Sequence, residues 1–265
     1  MVKFRIMSDL HLEFYKRPIK LLNQIKFTED DINTYLILAG DIGIPIKRIS
    51  DKRKKFFSVK KINQNYVEFL TLIRQKFKGV IMIIGNHEYY KCLESGLSMY
   101  QIDEIIRDIC LDLDIIFLQK EFVQIEDIKI YGCTLFSDIS REDSLIMNDY
   151  NYITNNYQET RKIFKDHFNW LKTIRKNNPE EKIILITHHL ITKNLIHEKN
   201  KNSEGNTAYY TEIIDELDQS IDYVFSGHSH EYAEYFQNNI KCYLNPMGYP
   251  QEKRDTQFKL FYIDL

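Results

Sequence analysis

Four short apolar runs constrain this chain most, because each stops on residues that do not belong in a buried strand. They read "TYLILAGD" at 34–41, "VIMIIGNHE" at 80–88, "KIILITHH" at 182–189 and "DYVFSGHSH" at 222–230. Four to six β-branched or large apolar residues closed by turn chemistry predict buried strands. A fifth stretch, "FRIMSDLHLEF" at 4–14, begins the same way, with Val2, Phe4 and Ile6 alternating with polar residues. It then sets Asp9 and His11 two positions apart, and in extended backbone such a pair shares one side.

Between the runs lie helical faces. Tyr66, Phe69, Leu70, Ile73 and Phe77 keep helical spacing, as do Ile163, Phe164, Phe168, Leu171 and Ile174, which end at "NNP" (177–179). Two more helices are expected from Leu97 to Leu111 and from Thr211 to Leu217. Strands alternating with helices, followed by the late runs "IKCYLNP" and "FKLFYIDL", predict two β-sheets covered by helices. With no repeat, linker or composition break, residues 1–265 are read as one domain. Residues 137–160 and 192–207 are polar and unpatterned, suited to binding loops or to solvated surface.

Composition excludes several classes. No apolar run approaches the ~20 residues of a membrane span, and the N-terminus lacks the apolar core of a signal peptide. The four scattered cysteines form no C-x-x-C pair, which suits free thiols in a reducing compartment. A cytoplasmic protein is therefore expected. The net charge of -2 gives no overall attraction to nucleic acid or membrane. One local exception is the basic stretch 47–61, "KRISDKRKKFFSVKK", which suits either a polyanion-attracting rim or a solvated loop.

Metal-capable residues gather at the strand ends. Of the 8 histidines, His11, His87, His188, His189, His228 and His230 all lie there, beside Asp9, Asp41 and Asn86. Histidines serving core hydrogen bonds have no reason to collect in this way. Two divalent ions a few ångströms apart need a bridging ligand, and a carboxylate suits because its oxygens can serve both. Asp41 is the candidate. A mixed nitrogen and oxygen set without thiolate argues against a structural zinc site and for a catalytic one with open positions. Manganese, iron, zinc and nickel all fit such donors, with manganese favoured.

In order, Asp9-Leu10-His11, Gly40-Asp41, "GNHE" at 85–88, "THH" at 187–189 and "GHSH" at 227–230 resemble the five motifs of calcineurin-like metallophosphoesterases. That resemblance implies a four-layer αββα sandwich, two mixed sheets flanked by helices with a two-metal centre at the strand ends. By motif, Asp9, His11, Asp41 and His230 would hold one metal, and Asp41, Asn86, His188 and His228 the other. His87 would be the catalytic histidine beside the leaving group, and a metal-bridging hydroxide the nucleophile, with Asp41 catalytic through the metals. Asn86, His87, His189, Asn148 and Asp149 are the expected substrate contacts.

Further stretches, "SDLHLEF", "CTLFSD" (133–138), "MNDY" (147–150) and "NPMGYPQE" (245–252), are similar to a subfamily of small microbial and phage members. That group carries Trp at the place of Phe136 and Arg at the place of Met247. The resemblance implies a phosphodiesterase acting on a nucleotide or other small phosphoester. A protein phosphatase would continue its second motif as G-D-x-x-D-R-G, whereas this chain reads "GDIGIPI". A nuclease would draw on the 47–61 stretch, and an inactive scaffold would have lost a ligand, yet every ligand position is filled.

Overall fold

The strands of the computed structural model, which describes residues 1–47, 61–252 and 259–265, follow the apolar runs closely. In chain order they are β1 (Lys3–Met7), β2 (Tyr35–Ala39), β3 (Ile46–Lys47), β4 (Lys61–Ile62), β5 (Gly79–Ile83), β6 (Ile116–Phe117) and β7 (Glu121–Ile125). They continue with β8 (Ile128–Cys133), β9 (Lys182–Thr187), β10 (Tyr223–Ser226), β11 (Ala233–Gln237), β12 (Ile240–Leu244) and β13 (Tyr262–Asp264). One sheet runs β13-β1-β2-β5-β6 and the other β11-β12-β10-β9-β8-β7, with β3 and β4 forming a small ribbon. Both large sheets are mixed. Their central strands pair in parallel, and β13, β7 and β11 add antiparallel edges.

Side-chain alternation builds the layers. Phe4, Ile6, Ile37, Ala39, Ile81 and Ile83 of one sheet meet Ile128, Ile130, Ile184, Ile186 and Phe225 of the other in a core between them. The intervening residues, among them Met7, Leu36, Leu38, Met82, Leu185 and Val224, belong to a second core shared with helices. Being buried on both faces, these strands read as continuous apolar runs in the sequence. Gly132 marks how closely the sheets pass. A Cβ there would stand 2.7 Å from Ile83 and from Leu118, so β8 has no room for a side chain.

The helices are α1 (Pro18–Leu22), α2 (Gln64–Arg74), α3 (Cys92–Ser95), α4 (Met99–Asp112), α5 (Arg141–Ser144), α6 (Asp149–Tyr152) and α7 (Tyr157–Leu171). The three long ones carry the predicted faces inward, through Phe69 and Ile73, Ile102 and Ile106, and Phe164 and Leu171. Each opens on a capping side chain, Asn63, Ser98 or Asn156. Among the described residues no helix is long and apolar enough to cross a membrane. On the outward side of β1, the fully buried Arg5 binds Asp31 with two bonds of 3.0 and 2.8 Å and donates to the Lys26 carbonyl at 2.8 Å.

Two expectations change. The helix expected over Thr211 to Leu217 is only a 3-10 turn at Ile214–Glu216. The Thr211 and Ile213 amides donate to the Leu190 and Ile191 carbonyls instead, pulling this stretch into an extended partner of the chain after β9. The polar excursions are also more ordered than their patterning suggests. Residues 137–160 contain α5, α6 and the start of α7, while 192–207 form three 3-10 turns. Asp143 joins the two by accepting from the Gly205 and Thr207 amides and the Thr207 hydroxyl.

Candidate metal centre

Every expected ligand follows the C-terminal end of a central strand. Asp9 and His11 follow β1, Asp41 follows β2, Asn86 follows β5, His188 follows β9, and His228 and His230 follow β10. Because these strands run parallel within each sheet, their ends open onto one edge, where α/β folds commonly place ligands. Asp9, His11, Asp41, His228 and His230 all adopt left-handed backbone, with φ between 47 and 70°. Such conformations in non-glycine residues cost about 1–3 kcal/mol each and cluster at functional sites. They also revise the sequence reading of Asp9 and His11. The two converge, but through left-handed turns beyond β1 rather than by sharing one side of an extended strand.

The side chains meet in two groups that share one member. Ligand atoms of Asp9, His11, Asp41 and His230 lie within 4.8 Å of one another, as do those of Asp41, His188 and His228. His11 Nε2 stands 2.9 Å from His230 Nε2, and His230 Nε2 3.5 Å from Asp9. On the other side, His188 Nε2 lies 3.4 Å from Asp41 Oδ2 and 3.0 Å from Asn86 Oδ1. Asn86 thus joins the second group.

The donor chemistry fits cations at both places. His188 Nδ1–H donates to the Ala39 carbonyl at 2.9 Å and His230 Nδ1–H to Glu252 at 2.9 Å, while His11 Nδ1 lies 3.3 Å from Glu13. Fixing the outer nitrogen turns each Nε2 lone pair toward the centre, as in carboxylate–histidine–metal arrangements. Two such lone pairs facing each other at 2.9 Å repel unless a proton or cation intervenes. His228 Nε2 is buried with no hydrogen-bond partner among the described residues. Burial also holds His228 and His189 well below the usual histidine range, as neutral imidazoles. These residues fit a metal.

Glu88, the last residue of the "GNHE" motif, organises the loops. Its buried carboxylate accepts from the amides of Asp41, Ile42, Gly43 and Gly85 at 3.1, 2.7, 3.1 and 2.7 Å. This ties the G-D turn to the G-N-H turn. Burial and the neighbouring Asp41 charge push its carboxyl up to about 7.

His87 sits at the front of the centre. Its amide donates to Asp41 Oδ1 at 2.8 Å, its ring stacks on Tyr90 at 3.9 Å, and its Nδ1 lies 2.7 Å from Glu13 Oε1. Burial opposes a charge on this ring, but Asp41 and Glu13 outweigh it and lift the group to about 9. Its Nε2 lies 3.1 Å from the Tyr249 hydroxyl. Asp149 is buried, and its Oδ1 accepts from Asn86 Nδ2 at 2.9 Å and from the Tyr90 hydroxyl at 2.8 Å. It is therefore placed behind the expected ligand Asn86. His189 is also buried, packed 4.1 Å from the His228 ring and 5.1 Å from Phe136. Asn148, by contrast, lines the open cleft.

That cleft, about 430 Å³, is walled by Asn86, His87, Tyr90, Asn148, Tyr209 and Tyr249. Both polar excursions contribute to it, Ile146 to Asn148 from one and Ile196 to Asn206 from the other. Sequence reasoning missed Glu13, Glu252, Tyr90, Tyr209 and Tyr249. Glu13 was legible in principle, two positions beyond His11, and Tyr249 and Glu252 lie in the "NPMGYPQE" stretch, whereas Tyr90 and Tyr209 are two among 18 tyrosines with no local mark. Of the basic stretch 47–61, residues 48–60 lie outside the described residues.

Comparisons with known proteins agree with this geometry. The chain is 29% identical to "Uncharacterized protein L509" of Acanthamoeba polyphaga mimivirus, covering 98% of this chain and 96% of that protein. Its fold is similar to the crystal structure of phosphopantetheinyl hydrolase (PptH) from Mycobacterium tuberculosis, with a TM-score of 0.69 at 15% identity, covering 97% of this chain and 95% of that one. The sequence profile described as calcineurin-like phosphoesterase matches residues 2–232, so the chain belongs to the calcineurin-like phosphoesterase family.

Proposed function

We propose that this chain is a two-metal phosphodiesterase that hydrolyses a nucleotide or other small phosphoester by direct attack of water. The observation that carries the reading is the membership of Asp41 in both ligand groups, which suits a carboxylate shared by two ions. One ion is assigned to Asp9, His11, Asp41 and His230, and the other to Asp41, Asn86, His188 and His228, with Mn²⁺ the proposed metal. Bound there, such ions supply Lewis-acid neutralisation of phosphoryl charge and activation of water near neutral pH.

The chain's own residues do the rest. Asn86, His87 and Asn148 face the cleft where the phosphoester would lie. His87 presents Nε2 to that space and passes its proton to the leaving oxygen, a contribution of roughly 10²–10⁴-fold for general acid catalysis. Preference for a diester follows from the segment after Asp41. Ile42 and Ile46 turn into the core, and among the described residues 42–47 there is no guanidinium to grip a monoester dianion.

The test compares initial rates on bis-p-nitrophenyl phosphate and p-nitrophenyl phosphate, with Mn²⁺ or with chelator, beside Asp41→Ala. Diester turnover that needs both metal and Asp41 supports the proposal. A strong monoester preference would move the protein to the phosphomonoesterases. Inertness toward both, in protein holding two ions, would overturn it.

A further inference from the structure

We infer that Glu13 is the positioning residue of the catalytic histidine, a carboxylate that holds His87 by Nδ1 so that Nε2 is the nitrogen offered to substrate. The inference rests on the phosphodiesterase reading for its kinetic consequence and on geometry for itself. Glu13 lies in the 3-10 turn Leu12–Phe14, launched by the left-handed backbone of His11. That turn swings its side chain back over the centre, leaving it 15% exposed, with Oε1 2.7 Å from His87 Nδ1. The same oxygen is 3.3 Å from His11 Nδ1, so the shorter contact is the one to His87.

Two further contacts hold His87 in place, and a third fixes its stacking partner. The His87 amide is bound to Asp41, and one ring face is covered by Tyr90 at an interplanar angle of 22°. Tyr90 is itself fixed through its hydroxyl to Asp149. A carboxylate can only accept, so Nδ1 must carry a proton toward Glu13. The far nitrogen is then the exchangeable one, and the hydroxyl of Tyr249 stands at the place a leaving oxygen would take. A histidine ring free to flip would present either nitrogen, and orientation of this kind is what general acid catalysis depends on.

Two kinds of measurement test the inference. The first is kinetic. Glu13→Ala is compared with wild type on diphenyl phosphate, whose leaving group needs a proton, and on bis-p-nitrophenyl phosphate, whose leaving group needs it far less. We expect kcat for diphenyl phosphate to fall at least about tenfold more than kcat for the nitrophenyl diester, with KM within about threefold. Metal affinity at the position that includes His11, which also meets Glu13 at 3.3 Å, should fall by less than about tenfold, and Glu13→Gln, which keeps an acceptor, should recover part of the kinetic loss. In a His87→Ala background, removing Glu13 should cost nothing further. Equal losses on both substrates, a drop in metal affinity of about tenfold or more, or a further loss in that background would overturn the inference and make Glu13 chiefly a support of His11.

The second readout does not need turnover. The downfield Nδ1 proton of His87, identified by its disappearance in His87→Ala, should be present in wild type and lost in Glu13→Ala. Its absence from wild type would also overturn the inference. Failure of the wild-type protein to hydrolyse either diester, with that proton present, would instead count against the phosphodiesterase reading alone.

Discussion

Replacing Asp149 with alanine should weaken one metal position and spare the other. Both hydrogen bonds to Asp149 end on the same oxygen, from Asn86 Nδ2 at 2.9 Å and the Tyr90 hydroxyl at 2.8 Å. Asp149 therefore sets which way the Asn86 amide points, and its Oδ1 faces His188 Nε2 only in that orientation. Removing such an outer partner lowers metal affinity by about 10–100-fold, equivalent to about 1.4–2.7 kcal/mol. Asp149→Asn retains an acceptor oxygen and should lose less than about tenfold. The assay is a competition titration of Mn²⁺ or Zn²⁺ against a chromophoric chelator, resolving the two binding steps. The step assigned to Asp41, Asn86, His188 and His228 should weaken in Asp149→Ala, with the other kept within about twofold. Two unchanged steps would refute the orienting role. Equal loss of both, together with lower thermal stability, would show a general structural effect instead.

Gly85→Ala should cost about 1–3 kcal/mol and empty both metal positions, because the new Cβ would fall onto Asp41 Oδ1 and 2.6 Å from His188; thermal melting and metal analysis check this, and a variant with full metal content would refute it. Asp31→Ala leaves the buried Arg5 charge without its carboxylate partner and should destabilise by about 3–5 kcal/mol in urea unfolding, a loss under about 1 kcal/mol counting against the account. His167 is buried and accepts the Leu135 amide on Nδ1 at 3.1 Å, and burial lowers its pKa from 6.5 to about 4. Between those values the unfolded chain binds a proton that the fold refuses, so stability falls as pH falls, by about 3 kcal/mol across the window. Urea midpoints at several pH values should show a shallower acid-side slope for His167→Gln, and identical slopes would refute the assignment.

The strands, the long helices and the gathering of seven candidate ligands at strand ends were legible because each is written locally. A strand buried on both faces must be a short apolar run, and a ligand turn must interrupt it with Asp, Asn or His. The excursion helices α5 and α6 were not legible, being too short to carry a period and held by contacts such as Asp143 with Thr207. The helix expected at Thr211 failed for the related reason that its amides found partners on the chain after β9.

The sequence by itself thus determined the family, the layering and the identity of the groups able to bind metal. Only the tertiary structure decided how those groups are supported. Glu13, Glu88, Asp149 and Glu252 each act on a residue of the centre, and although all four lie in or beside motif stretches, nothing local says which group each will face. Their partners lie up to 74 positions away in the chain, as for Glu13 and His87. Hydrogen bonds across such separations depend on where the strands deliver their ends, and that is settled by packing the two sheets rather than by any local pattern of residues.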